Sequence, residues 1–235
     1  MPKLHDFDFL RVAPNKKLRL HDLKADSTHD IPDKSDIVTD KWTQKLGELQ
    51  EALYAEGRRS LLVILQGLDA SGKDGAVRHF FDDVNPTGIQ VTSFKVPTAE
   101  ELRHDFFWRC HAKIPPRGYV GVFNRSYYED VLVVRVHTDK LLPPEWKNVK
   151  HIWEDRYRMI RDFENILTAG ATRVGKFFCH ISKKEQRERF IARQQDPTKH
   201  WKLAAGDFTE RTFWDDDQHA YEKMLPATST DAAPW

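Results

Sequence analysis

Gly67-Leu-Asp-Ala-Ser-Gly-Lys-Asp-Gly75 sets a lysine at the end of a glycine-punctuated turn, with four residues between Gly67 and the Gly72-Lys73 pair. Such a turn can aim consecutive backbone N–H groups at phosphate oxygens, and a helix opening behind it adds the positive end of its dipole. Lys73 adds a full charge. The candidate phosphate contacts are Gly67, Ala70, Ser71, Gly72, Lys73, Asp74 and Gly75. The loop departs from the common nucleoside-triphosphatase pattern twice: Asp74 stands where Ser or Thr would hold magnesium, and Asp69 puts a carboxylate inside the loop. Asp69 reads as a magnesium ligand or a general base, against a structural role bonding loop amides. Asp74 suits a helix's first turn.

A second group is Asn124-Arg-Ser-Tyr-Tyr-Glu-Asp130. Arg125 suits bidentate phosphate binding, and Glu129 or Asp130 could hold magnesium directly or through water. The alternative is a local Arg–Glu pair at a helix start. Residues 182–202 carry seven basic side chains against three acidic ones, with Arg189 and Arg193 one helical turn apart. This fits a lid closing over phosphates or a merely solvated face. Lys95, Arg103, Arg109, Lys113 and Arg117 could line a channel for an extended anion. Residues 207–222 carry six acids against Arg211, which reads as a solvated or partner-facing surface. His111, His137 and His180 stand isolated and read as structural.

These residues need elements to position them. Leu61–Leu65 is a continuous apolar run that reads as a strand buried on both faces. Similar runs lie at 89–94, 119–123 and about 176–181. A helix from Ser35 to Gly57 is predicted to turn Trp42, Leu46, Leu49 and Leu53 onto the sheet. Another, 147–169, points Val149, Ile152, Ile160, Phe163 and Leu167 inward and closes at Gly170. Helix 76–81 follows the glycine loop, and the capping-box patterns Thr98–Glu101 and Ser182–Glu185 mark two further starts. Strands alternating with helices predict an α/β fold with a parallel sheet and right-handed crossovers. In parallel sheets ligands gather beyond the strands' carboxyl ends, so Arg125 and its neighbours should emerge beside the glycine loop. With four strand candidates, a sheet edge is left open.

At 235 residues the chain has room for one large domain and its own core. A net charge of +1 argues against a globally basic nucleic-acid binder but allows locally separated charge. Cys110 and Cys179 are too few for a disulfide scaffold or zinc site. No run approaches a membrane span and the start lacks a signal peptide's apolar core, so the expected location is cytoplasmic, without membrane or nucleic-acid partners. Residues 1–34, without clear periodicity, form an arm lying on a 35–235 domain.

Five blocks taken in order carry a resemblance: the glycine loop, Ser93-Phe-Lys-Val-Pro-Thr98, Glu101–Arg109, Phe123–Asp130 and Asp196-Pro-Thr-Lys-His-Trp-Lys202. Together they resemble the polyphosphate kinase 2 family from about residue 10 onward. The resemblance implies a P-loop kinase-like, thymidylate-kinase-like αβα sandwich with a helical lid at about 183–207. It implies magnesium-dependent, reversible phosphoryl transfer between inorganic polyphosphate and nucleotides, with manganese a possible substitute. By that likeness Asp69, Lys73, Asn124, Arg125 and Glu129 form the reacting centre, Arg193, Lys199 and Lys202 belong to the lid, and Lys95, Arg103 and Arg109 contact polyphosphate. Glu129 stands where ADP-specific members tend to carry Asn. The stretch Glu129–His137, which includes Arg135 as a phosphate contact, resembles members accepting both AMP and ADP to make ADP and ATP. The same likeness implies a homodimer or homotetramer. Two other readings of the residues are a nucleoside monophosphate kinase using ATP and a non-catalytic polyphosphate or nucleotide sensor.

Overall fold

A computed structural model describes residues 8–27, 35–82, 84–203 and 205–235, with backbone alone for 35–39 and 205. The sheet is built from β1 (Ser60–Gln66), β2 (Ile89–Ser93), β3 (Val120–Asn124) and β4 (Thr172–Phe178), all parallel in the order β2-β3-β1-β4. β4 therefore lies earlier than the apolar run at 176–181 suggests. Its inward residues Thr172, Val174 and Lys176 alternate with exposed ones, a period-2 pattern that a search for continuous apolar runs passes over. In β1 the expected burial holds in part: Leu62, Ile64 and Leu65 are buried, while Leu61 and Val63 are half-buried.

The larger helices are α1 (Ser35–Glu56), α2 (Lys73–Phe80), α3 (Ile152–Ala169), α4 (Lys183–Gln195) and α5 (Trp214–Thr228). Leu53 of α1 and Ala76 and Val77 of α2 pack on one sheet face against Leu65, Val120 and Val122. α3 and α5 cover the other face through Ile160, Phe163, Leu167, Met224 and Leu225, together with Tyr127 and Tyr128. The result is a three-layer α/β sandwich. The described part of the arm runs along α5: Val12 donates to the Trp235 carbonyl (2.9 Å), Asn15 to that of Pro226 (2.9 Å), and Leu20 N–H to Glu222 (2.7 Å).

Three helical expectations need correction. On α1 the buried positions are Thr43, Gly47 and Gln50, whereas Trp42 and Leu49 are exposed. The helix is thus rotated from the apolar stripe, and Gln50 packs on Gly88, where an added Cβ would lie 1.8 Å from its amide nitrogen. α3 begins at Ile152 because His151 takes a left-handed φ of 63°, leaving Val149 exposed before it. The box at Thr98 forms reciprocally, Thr98 N–H to Glu101 (2.7 Å) and Glu101 N–H to Thr98 Oγ1 (3.2 Å). It nevertheless opens only a single turn, Glu101–Arg103, since Leu102 finds nothing to bury against and stays exposed. The Ser182 cap does start α4, with Ser182 Oγ accepting from Glu185 N–H (3.1 Å), and Asp196-Pro197 ends it.

Candidate functional site

The register aligns Leu65 with Asn124 and Gln66 with Phe178, so the loops after β1, β3 and β4 leave the sheet together. After β1 the chain turns through Gly67, Ala70 (φ 61°) and Gly72 (φ 102°), and α2 starts at Lys73. The Lys73 ammonium is buried and donates to the carbonyls of Gly67 (2.6 Å) and Leu68 (2.9 Å) and to Ser71 Oγ (3.3 Å). Burial lowers its pKa and the Arg125 charge lowers it further, while Asp69 and Glu129 oppose both.

Arg125 also takes a left-handed φ of 65°, an unfavourable conformation for a residue with a Cβ. Its N–H donates to the Leu65 carbonyl (3.0 Å), which ties the turn to the end of β1. The guanidinium bridges two acids, Asp69 Oδ1 at 2.5 Å and Glu129 Oε2 at 3.2 Å. The Glu129 charge, followed by that of Asp69, raises its pKa against the effect of burial. The buried Gln66 amide, turned so that both ends are satisfied, donates to Glu129 Oε1 (3.0 Å) and accepts from Ser126 N–H (3.1 Å).

Asp74 lies in the first turn of α2 and accepts from Asn124 Nδ2 (2.6 Å) and Lys202 Nζ (3.0 Å). Burial raises its pKa, but these two bonds outweigh burial and hold it below the usual carboxylate range. Asp74 thereby joins the tip of β3 to the segment after α4. From α4, Gln186 donates to the Asp69 carbonyl (3.0 Å) and Arg189 to that of Ala70 (3.0 Å), so the helix braces the glycine loop.

Two cavities open on this junction and share Asp69, Val96 and Arg125. One, of about 610 Å³, is lined by Ala70 to Gly75, Lys95, Asn124, Arg193, Trp201 and Lys202. The other, of about 380 Å³, has apolar walls from Leu132, Val133, Leu141, Trp214 and Tyr221, with Glu129, Asp207, Glu210 and Asp217 among its polar groups. Burial pushes Asp217 up to about 7, helped by Glu210, Asp69, Glu129 and Asp216.

The structure thus brings Gly67, Asp69, Ala70, Ser71, Gly72, Lys73, Asp74, Gly75, Lys95, Asn124, Arg125, Glu129, Arg193 and Lys202 to the cavities. It does not bring five others there. Arg103 is exposed beside Glu100 (3.3 Å), and Lys199 pairs with Asp196 (2.8 Å). Arg109 is buried, donating to the Lys95 carbonyl (2.8 Å), and Arg135 donates to Tyr157 Oη (2.6 Å). Asp130 faces Arg156 (3.9 Å), and burial lifts it to about 6 against the pull of Arg156 and Arg109. Sequence reasoning missed Gln186, Asp217 and Tyr221. It also read His137 as merely structural and residues 207–222 as an outward surface. His137 lines the second cavity and contacts Glu210 (2.8 Å). The acidic character of 207–222 gave no sign that Asp207, Glu210 and Asp217 line a cavity with Asp69.

Among the described residues no three His, Cys, Asp or Glu side chains gather to hold a metal ion, and no helix is long and apolar enough to cross a membrane.

The sequence pattern described as polyphosphate kinase 2 (PPK2) matches residues 32–235. The chain is 52% identical over 196 residues to an ADP-polyphosphate phosphotransferase of Rhodopseudomonas palustris, covering 82% of this chain and 68% of that one. It is 45% identical over 228 residues to an AMP/ADP-polyphosphate phosphotransferase of Meiothermus ruber, covering 96% and 82%. The crystal structure of polyphosphate kinase 2 from Arthrobacter aurescens TC1 superposes with a TM-score of 0.86 at 42% identity, over 95% of this chain and 79% of that one.

Proposed function

The chain belongs to the polyphosphate kinase 2 family, and on that footing we propose that it is a transferase moving the terminal phosphoryl group of inorganic polyphosphate to AMP and ADP. AMP plus a polyphosphate of n units gives ADP and a chain of n − 1 units, and ADP gives ATP in the same way. The reaction is reversible. The observation that carries this reading is the pair of unlike cavities meeting at Asp69 and Arg125. The larger, rich in cations, suits a chain of condensed phosphates. The smaller, with aromatic and aliphatic walls and carboxylates that accept from ribose hydroxyls or a base amino group, suits a nucleoside.

The chemistry is in-line displacement at phosphorus: the acceptor's phosphate oxygen bonds to the terminal phosphorus as the bridging P–O bond to the chain breaks. Loop amides, Lys73 and Arg125 stabilise charge on the transferred group. Arg125, reaching both cavities, bridges donor and acceptor phosphates as the phosphoryl group passes between them. Asp69 orients the acceptor oxygen and takes any proton that remains on it. Because a nucleotide phosphate is largely ionised at neutral pH, positioning outweighs base catalysis. Asn124 and Lys202, through Asp74, and Arg193 close the donor side, with α4 and the residues after it acting as a lid.

Asp69 and Glu129 fit magnesium, or manganese in its place, because hard cations bind carboxylate oxygens and complete their shell with substrate phosphates. When bound, such an ion neutralises charge on the phosphoryl group. Asp130, turned to Arg156, would act only through neighbours. The proposal extends to a cytoplasmic homo-oligomer working on soluble substrates.

Incubating the protein with AMP, inorganic polyphosphate and magnesium, without ATP, should yield ADP and then ATP. ADP formed only when ATP is supplied would instead make it a nucleoside monophosphate kinase. Polyphosphate binding that Lys73→Ala abolishes, with no product, would make it a sensor.

A further inference from the structure

Beneath the Arg125 turn lies a buried charged cluster that touches neither cavity. Lys176 of β4 and Glu164 of α3 form an ion pair (2.7 Å) with side chains almost fully shielded from water. Glu164 Oε1 also accepts from Tyr127 Oη (2.9 Å) and Tyr128 Oη (2.7 Å), both tyrosines being wholly buried. Lys176 donates further to Tyr128 Oη (3.0 Å) and to the Thr228 carbonyl (2.7 Å). Trp235 seals the cluster, its ring 5.2 Å from the Lys176 ammonium and its indole N–H on Thr228 Oγ1 (2.9 Å).

Replacing a buried ion pair with well-packed apolar residues is often neutral or stabilising, so stability alone gives little reason for this one. Its geometry supplies another. Tyr127 and Tyr128 open the short turn Tyr127–Val131, which begins two residues after Arg125 and contains Glu129. The left-handed backbone at Arg125 persists only while its surroundings over-determine it. On the β1 side it is held by the Leu65 carbonyl and Gln66. On the far side the following turn is held by the Ser126 hydroxyl, which accepts from Tyr128 N–H (3.2 Å), and by the two phenol hydroxyls pinned to Glu164.

We propose that Glu164, Lys176 and the hydroxyls of Tyr127 and Tyr128 are positioning residues for phosphoryl transfer, setting Arg125 and Glu129 against Asp69 without meeting substrate. The proposal rests on the phosphotransferase reading above, and it predicts a defect in turnover and not in substrate binding.

The test is the double variant Tyr127→Phe/Tyr128→Phe, which keeps both rings and removes both hydroxyls, assayed with polyphosphate and AMP or ADP. Val120→Ala, a core change in β3 on the opposite face of the sheet, serves as the control for lost stability. With folded protein counted by circular dichroism, kcat per folded molecule should fall at least tenfold and KM for both substrates should stay within twofold. The control should keep kcat within twofold. A kcat within threefold of the parent, a fall matched by the control, or a fall accompanied by a KM rise beyond twofold overturns the proposal. Should the double variant not fold, Tyr127→Phe alone is judged by the same thresholds. A parent inactive with polyphosphate would sink the phosphotransferase reading instead. The positioning claim would then be decided by a crystal structure of the variant, in which the Arg125–Asp69 contact should be broken; its retention would overturn the claim.

Discussion

Asp69 and Arg125 are in contact at 2.5 Å on the boundary of both cavities, so a change at either should act on the reaction more than on the fold. Asp69→Asn keeps the size of the side chain and removes its charge. Turnover should fall by roughly a hundredfold or more, the scale of losing a preorganised electrostatic contact, while the thermal melt shifts little. Near-parental turnover in a coupled ATP assay would remove Asp69 from the reacting centre. Asp217 makes a separate prediction. Its pKa is pushed up to about 7, from an ordinary 3.8, by burial and the neighbouring carboxylates. The folded state therefore holds this proton more tightly than the unfolded chain, and stability is lost as pH rises from about 4 through 7. Asp217→Asn should be nearly neutral at pH 4 and stabilising by about 2 kcal/mol at pH 8, read from urea unfolding in metal-free buffer. A gain equal at both pH values would show that Asp217 is not held protonated. The loop acids and Arg125 were legible in the sequence because each sits at a fixed offset from a strand end. Asp217 was not, since its burial and two of its acidic neighbours, Asp69 and Glu129 in the loops after β1 and β3, come from far away in the chain.

At the level of elements, the tip of β4 lies directly on the glycine loop. Cys179 N–H donates to the Gln66 carbonyl (2.7 Å), and a Cβ added at Gly67 would stand 2.9 Å from the Cys179 carbonyl and 2.6 Å from Ser71 Oγ. The hydroxyl can rotate away but the backbone carbonyl cannot, so Gly67→Ala must push β4 from the loop. We expect a loss of roughly 1–3 kcal/mol, the usual cost of overpacking, and a parallel loss of activity. Unchanged urea stability would show that the strand tip yields freely. The same element scale explains where periodicity misled. The α1 stripe of Trp42, Leu46, Leu49 and Leu53 has a helical period and Leu53 does pack on the sheet, yet Trp42 and Leu49 are exposed while Thr43, Gly47 and Gln50 are buried. Gln50 seats its amide against Gly88, a polar contact that an apolar pattern does not report. The β1 run was unambiguous because a strand flanked on both sides has no polar face to show. β4, at the edge, alternates and was displaced towards its most apolar end.

For the whole molecule, a net charge of +1 conceals a strong internal separation. Lys73, Lys95, Arg125, Arg193 and Lys202 face the larger cavity against Asp69 and Asp74, while on the smaller, which shares Asp69 and Arg125, Glu129, Asp207, Glu210 and Asp217 outnumber Lys140 and Arg211. Segment charges pointed to the basic half alone: the 182–202 stretch does supply Arg193 and Lys202, although Lys199, like Arg103 outside that stretch, turns to a local acid. Sequence showed how much charge each segment carries, but only packing decides which side chains share a cavity. The separation has a kinetic consequence. A polyanion drawn to a cluster of partly exposed cations feels a potential that salt screens over about 10 Å at 0.1 M and 3 Å at 1 M. A mononucleotide in a pocket of mixed charge and apolar walls depends on it far less. Raising sodium chloride from 50 to 500 mM should therefore lift the KM for long-chain polyphosphate by roughly tenfold or more, with the KM for AMP changing about twofold or less. Lys202→Ala, which removes one cation and leaves Asp74 its bond from Asn124, should flatten the polyphosphate slope and leave the AMP slope as it was. Equal salt slopes for the two substrates would mean that the cationic cavity does not receive the phosphate chain, and the assignment of donor and acceptor to the two cavities would have to be reversed or abandoned.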